Sequence, residues 1–355
     1  MLSAKPDMNK YISHRAVLSF ICFGMLAALL TACKPFDSQY EAALDWKRGV
    51  FQRLQGNLSG PIASRIQKMP IDLLKTTQDY DRSIGIPNSD RYAARDATAD
   101  ELALIKSYID LLPRAHQKVF ASKLLAVYFI DGFSGAGMTE WVVDREGHTY
   151  YYLILNSSLF NISIDDWLTY KEDSQFESRL DKSTTSPSIR VRTQTNFKAL
   201  MYGLLHEGSH IVDYELGVTP YIDPQHRRFI GRNKDRSDFT DGVWVQGSKP
   251  VERYDFKHRG DINTYGIFPK RGLIPRSELP EMFSQLAKSP FVSFYSATSW
   301  NEDLADYMTY HHIERYLGGS VTVELLSAGN VVERYAPVKT SLAKQREKSV
   351  RVFYE

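Results

Sequence analysis

His206-Glu207-Gly208-Ser209-His210 is the segment of this chain whose residue types and spacing could do chemistry. In a helix, positions i and i+4 share one face, so both imidazoles can reach a single metal ion. Glu207 stands beside that face, where a carboxylate can take a proton from a metal-held water. The chemistry such a group supports is hydrolysis by an activated water. The plain alternative is two solvated histidines on an ordinary helix. Against it stands the surrounding pattern. Phe197, Leu200, Met201, Leu204, Leu205, Gly208, Ile211 and Val212 form a wide apolar stripe, which predicts a long amphipathic helix over 197–216.

A catalytic zinc needs a third protein ligand and an open position. The extended pattern HExxHxxGxxH is excluded, because Asp213 and Leu216 stand where it needs Gly and His. The other solution is a downstream acidic residue on another helix, and Asn301-Glu302-Asp303-Leu304-Ala305-Asp306 supplies one. Glu302 and Asp306 are four apart and share a helix face. Glu302 can bind the metal while Asp306 accepts the far N–H of a ligating histidine and fixes its tautomer.

With HEGSH and NEDLAD in place, the sequence resembles the gluzincin metallopeptidases, the thermolysin-like superfamily, whose signatures are HExxH and NExxxD. The resemblance implies a Zn2+ cofactor, with His206, His210 and Glu302 as ligands, Glu207 as general base and Asp306 as support for a ligating histidine. It implies peptide-bond hydrolysis on a peptide or protein substrate. It covers two helices and at most the hairpin before them, not the whole chain. About 90 residues separate the motifs, far more than in thermolysin, so the thermolysin subsites do not carry over. A weaker similarity is to lethal-factor-type catalytic domains. There HExxH is followed by an aliphatic residue and Asp, much as residues 206–214 read HEGSHIVDY, and a Tyr precedes the glutamate ligand, as Tyr295 does here. That likeness implies a phenol donating to the oxyanion of a tetrahedral intermediate. The alternative is a Tyr packed at a helix entrance. Asp213, one turn beyond His210, either supports a ligand or is solvated, the latter being favoured.

The other histidines carry less. His311 and His312 lie more than two turns beyond Glu302, too far for a ligand role, and read as core or surface histidines or a transition-state donor. His226 and His258 fall in a polar stretch that demands nothing of them. Residues 132–137, GFSGAG, lack the lysine-serine pair or Rossmann spacing of a nucleotide loop.

The elements that must position these groups read as an α+β fold. The resemblance makes it zincin-like: a small mixed or antiparallel sheet, an active-site helix and a glutamate helix. Residues 33–97 read as a helical front region. Ser38 to Glu41 is a capping box, Tyr40, Leu44, Phe51 and Leu54 follow at near-helical spacing, and Pro61 suits the start of a second helix. Residues 79–96 read as a polar loop and a plausible boundary. The catalytic domain then runs over 98–355, opening on the capping box Thr98 to Glu101, with a helix that Pro113 stops. Residues 124–131 predict a strand, and 140–143 with 149–156 a hairpin. The second arm, TYYYLILN, reads equally as an edge strand able to pair with a peptide or as a core strand. Residues 217–276 read as a loop-rich insertion, a candidate substrate-facing flap. Helices near 277–289 and 299–317, a closing hairpin over 320–336 and a short charged helix over 338–349 complete the chain.

The N-terminus reads as an address. Residues 16–30 are apolar and uncharged, preceded by Lys10 and Arg15, and too short to span a membrane. Leu30-Thr31-Ala32-Cys33 resembles the lipobox of bacterial lipoproteins. This implies a signal peptide over 1–32 and acylation of Cys33, hence a membrane partner. Lys34 is not the Asp that marks inner-membrane retention, so the resemblance favours the periplasmic face of an outer membrane in the bacterial envelope, with a Gram-positive surface as the alternative. The formal charge is +2, which gives no electrostatic reason to expect nucleic acid. Removing 1–32 would take away Lys5, Lys10, Arg15 and Asp7, cancelling that excess and leaving attachment to the acyl chains. Two functional rivals stand beside a peptidase. One is a zinc hydrolase cutting peptide bridges of cell-wall polymer. The other is a non-enzymatic lipoprotein with a structural or vestigial metal site, against which the intact Glu207 argues, since a structural site needs no base.

Overall fold

The computed structural model describes residues 36–177, 186–220, 236–262 and 274–355. The expected signal peptide, Cys33 and His226 lie outside the described residues, as do parts of the 217–276 insertion. The fold is α+β. Four strands make the main sheet: β1 (Ala93–Arg95), β2 (Leu124–Asp131), β3 (Gly137–Val143) and β4 (Thr149–Asn156), in the order β1-β2-β4-β3. β2 and β4 run parallel, while β1 is antiparallel to β2 and β3 to β4.

The sheet is apolar on both faces, which explains the near-continuous hydrophobic runs of β2 and β4. Alternation still sorts the side chains. Val127, Phe129, Trp141, Leu153 and Leu155 enter the layer that holds the HExxH helix. Tyr128, Ile130, Val142, Tyr152 and Ile154 enter the opposite layer. That second layer is roofed by α1 (Phe36–Leu54), through Val50, Phe51 and Leu54, and by α2 (Ile71–Ser83), through Leu73 and Leu74. α3 (Ala99–Ile109) and α4 (Arg114–Lys123) cover the first face together with α6 (Leu200–Leu216), which follows α5 (Ile164–Asp173) in the chain.

Several expectations are corrected here. TYYYLILN is not an edge strand: β4 lies between β2 and β3, and β3 takes the edge. That edge is not open either, because α1 lies along it, Lys47 Nζ donates to Trp141 O, and Thr139 is wholly buried. The first helix already runs at Phe36, so Ser38 sits within it rather than capping it. Pro61 precedes only a one-turn 3-10 segment (Ile62–Arg65), and the second helix starts after Pro70. Residues 79–96 are not all loop, since α2 reaches Ser83 and Ala93–Arg95 is β1. The capping box at Thr98 is present, with Glu101 N–H on Thr98 Oγ1 and Thr98 N–H on Glu101 Oε2. The helix opened there ends before Pro113 as expected, and a further helix, α4, which the sequence reading did not offer, begins at Arg114. The closing hairpin, Thr322–Ser327 with Asn330–Tyr335, joins Ser188–Arg192 in a second, three-stranded sheet.

Candidate metal centre

α6 carries the HExxH segment and ends where Gly217 adopts φ 63°, its N–H returning to Asp213 O. The glycine of HEGSH has a packing reason. A Cβ at Gly208 would stand 2.6 Å from His116 Cδ2 and 2.9 Å from Phe120 Cζ, so α6 can lie this close to α4 only without one. His116 sits beneath it, fully buried, with Nε2 at 3.2 Å from Ser209 Oγ. The glutamate helix, Trp300–Arg315, packs against α6.

Together they converge three donor atoms. Glu302 Oε2 lies 3.1 Å from His206 Nε2 and 3.6 Å from His210 Nε2. One ligand atom from each of the three residues falls within 4.8 Å of the others. All three are buried, yet His206, His210 and Glu302 keep 3 to 7% of their surface, where Asp306 keeps none. The expected support for the histidine is in place, with Asp306 Oδ1 at 2.9 Å from His206 Nδ1.

Both nitrogens of His206 thus face carboxylates. A neutral imidazole has only one N–H, so its second nitrogen would meet Glu302 lone pair to lone pair. Only a proton or a cation between them removes that conflict. Burial opposes the charged ring, but the hydrogen bonds to Asp306 and Glu302 outweigh it and lift His206 to about 10. Burial likewise opposes ionised Glu302, yet the adjoining histidines depress it to about 2. Two nitrogens and one carboxylate oxygen with a little remaining surface also match the donor set of a hydrolytic zinc.

Glu207 is held from the sheet. Thr139 Oγ1, on β3, lies 2.9 Å from both Glu207 O and Glu207 Oε2. Burial pushes the Glu207 carboxyl above the ordinary glutamate range, while His206, His210 and the Thr139 hydroxyl pull it back. Tyr295 is half-buried in the 3-10 turn Tyr295–Ala297 before the glutamate helix, its ring centroid 5.9 Å from that of His206.

A second ring of residues, not singled out by the sequence reading, holds these. Asp306 Oδ1 also accepts from Tyr202 Oη at 2.9 Å, and Oδ2 accepts from Lys171 Nζ at 2.6 Å and from Ser293 Oγ. Burial works against both Asp306 and Lys171 in charged form, but their pairing keeps the carboxylate well below its usual range and the ammonium above. Tyr202 stands four residues before His206, a spacing that could have pointed to it. Lys171 comes from α5, and no spacing links it to either motif.

The described part of the 217–276 insertion is tied to the glutamate helix. Its small hairpin, Trp244–Gln246 with Lys249–Pro250, places Trp244 Nε1 on Asp303 Oδ2 at 2.8 Å, and Gly247 O accepts from Trp300 N. Arg346 completes that contact from the C-terminal segment, with Nη1 at 3.0 Å from Asp303 Oδ1 and Nη2 on Oδ2. Asp213 is not solvated. It is buried and accepts from Thr219 N at 2.6 Å and Thr219 Oγ1, so it anchors the chain leaving α6. His311 and His312 are core residues, His312 Nε2 bonding Leu111 O at 2.8 Å and both rings meeting Tyr354. His258 pairs with Asp261 and Glu278, away from the three ligand candidates. Compared with family models, curated proteins and solved structures, the chain matches none of them.

Proposed function

We propose that the protein is a zinc-dependent peptide hydrolase of the gluzincin type, with a zincin-like catalytic domain, carried on a lipid-anchored chain of the bacterial envelope. The observation that carries the reading is the meeting of one ligand atom each from His206, His210 and Glu302 within 4.8 Å, with both Nε2 atoms on Glu302 Oε2, while His206 Nδ1 is already committed to Asp306. Charge supports it. Glu172, Asp306 and Glu302 oppose the single ammonium of Lys171 in this buried region. With neutral imidazoles, as ligands must be, and with Glu207 ionised as the base, this leaves three uncompensated negative charges, of which one divalent cation offsets two.

Zinc, when bound, supplies Lewis acidity and brings a water's pKa near neutrality. The chain does the rest. Asp306 keeps the His206 proton on Nδ1, so Nε2 presents its lone pair. Glu207, oriented by Thr139, takes the proton of the attacking water and returns it to the leaving amine. Tyr295 donates to the oxyanion as the carbonyl becomes tetrahedral. The lipobox at 30–33 supports acylation of Cys33 as the anchor. No described helix is long and apolar enough to cross a membrane.

Metal analysis combined with a peptide-library cleavage assay tests the reading. The wild-type chain should carry one zinc and cleave peptides. Glu207→Gln should keep the zinc and lose at least about 100-fold in turnover, the range of a general base. Unchanged cleavage by that variant with zinc confirmed, or a wild-type chain that binds no zinc, overturns the proposal.

A further inference from the structure

Lys171 and Glu172 belong to neither motif, yet they reach both halves of the site. Lys171 is wholly buried, with Nζ 2.6 Å from Asp306 Oδ2 and 2.8 Å from Glu172 Oε1. The rings of Tyr295, Tyr202 and Tyr310 surround it, at 5.4, 5.7 and 5.9 Å from centroid to Nζ. Glu172 Oε2 accepts from Phe294 N at 2.7 Å, one residue before Tyr295. Asp306 is saturated. Oδ1 takes His206 and Tyr202, and Oδ2 takes Lys171 and Ser293. Rotating that carboxylate would break four contacts at once. A buried ion pair is a poor source of net stability, because desolvation offsets most of the attraction. What it supplies well is a fixed position.

We infer that Lys171 and Glu172 are positioning residues, Lys171 fixing His206 toward the metal through Asp306 and Glu172 fixing the Tyr295 turn through the Phe294 amide. The inference rests on the zinc reading above. It makes two adjacent side chains of α5 the common brace of the ligand half and the oxyanion half. Zinc affinity reads the first role and turnover the second, so the two are told apart even though Lys171 and Glu172 touch.

Zinc affinity of the full chain, measured by competition with a chromophoric chelator, is the first readout, and the cobalt(II) absorption spectrum the second. Lys171→Met should weaken zinc by up to about 10- to 100-fold, the range for loss of a ligand's own outer partner, here disturbed through Asp306, and should shift the cobalt bands. Glu172→Ala should leave the zinc Kd and cobalt bands close to wild type while kcat falls at least about tenfold, with KM little changed. Thermal unfolding and circular dichroism establish that each variant folds. Should Lys171→Met not fold, Ser293→Ala removes the other donor to the same Asp306 oxygen and should weaken zinc several-fold. An unchanged zinc Kd in folded Lys171→Met, or in Ser293→Ala where the first does not fold, overturns the Lys171 role. Full kcat in folded Glu172→Ala overturns the Glu172 role. A wild-type chain that binds no zinc overturns the metal reading instead, and is told apart by the wild-type titration.

Discussion

Thr139 is a small residue with a specific effect on Glu207. Its hydroxyl donates to the carboxylate at 2.9 Å, which favours the ionised base over the protonated acid. Thr139→Val keeps the shape and removes the donor. The Glu207 carboxyl should then titrate higher still. A base must be ionised to act, so the acidic limb of the kcat/KM profile should move to higher pH while the plateau above it stays near wild type. An unmoved limb would show that the hydroxyl does not set the base. At this scale the sequence was informative where chemistry is local. HEGSH and NEDLAD name the convergent residues because helical spacing alone places i and i+4 together. Thr139 and Lys171 reach the site across the fold, and a short window of sequence holds no trace of such meetings. Asp213 was misjudged for a related reason: its partner, Thr219, lies beyond the helix end.

At the scale of elements, the glutamate helix is gripped on two sides. Lys171 holds Asp306, and Arg346 with Trp244 holds Asp303, the neighbour of Glu302. Burial pushes the Asp303 carboxyl up, and the Arg346 guanidinium opposes that. Arg346→Met would leave a buried carboxylate without its cation, which costs about 3–5 kcal/mol. Urea unfolding should show that loss, and the double variant Arg346→Met with Asp303→Leu should regain a large part of it. Equal stability of the single variant and wild type would mean the pair holds nothing. The elements themselves were legible where periodicity was strong: β2, the β3–β4 hairpin, α6 and the glutamate helix. α4 and α5 were not, since Pro113 and the polar face of α5 obscured their pattern. Which strand takes the edge was also beyond sequence, because β4 threads between β2 and β3 and both arms are apolar.

Seen whole, the molecule buries both faces of one sheet, and acidic groups are caught in the far layer. Asp81, on α2, accepts from Tyr92 Oη at 2.6 Å. Burial raises it to about 6, the Tyr92 bond opposing and the charge of Glu140 adding. A carboxyl raised in the folded state contributes stability below its unfolded pKa, near 4, and loses that contribution as pH climbs through about 6. Asp81→Asn keeps an acceptor for Tyr92 and never ionises. It should match wild type near pH 4 and gain up to about 2–3 kcal/mol at pH 7.5. Urea midpoints at the two pH values decide it, and an equal difference at both would refute the buried ionisation.

The helix α1, which already runs at Phe36, also limits where the body can be. If Cys33 carries the lipid, only Lys34 and Pro35 separate the anchor from a helix whose Tyr40 and Leu44 are already set in the core. Three Cα steps span at most about 11 Å. Such a body has almost no tether. Under that condition it could not swing away from the membrane, and any partner or substrate would have to come to within molecular contact distance of the bilayer surface.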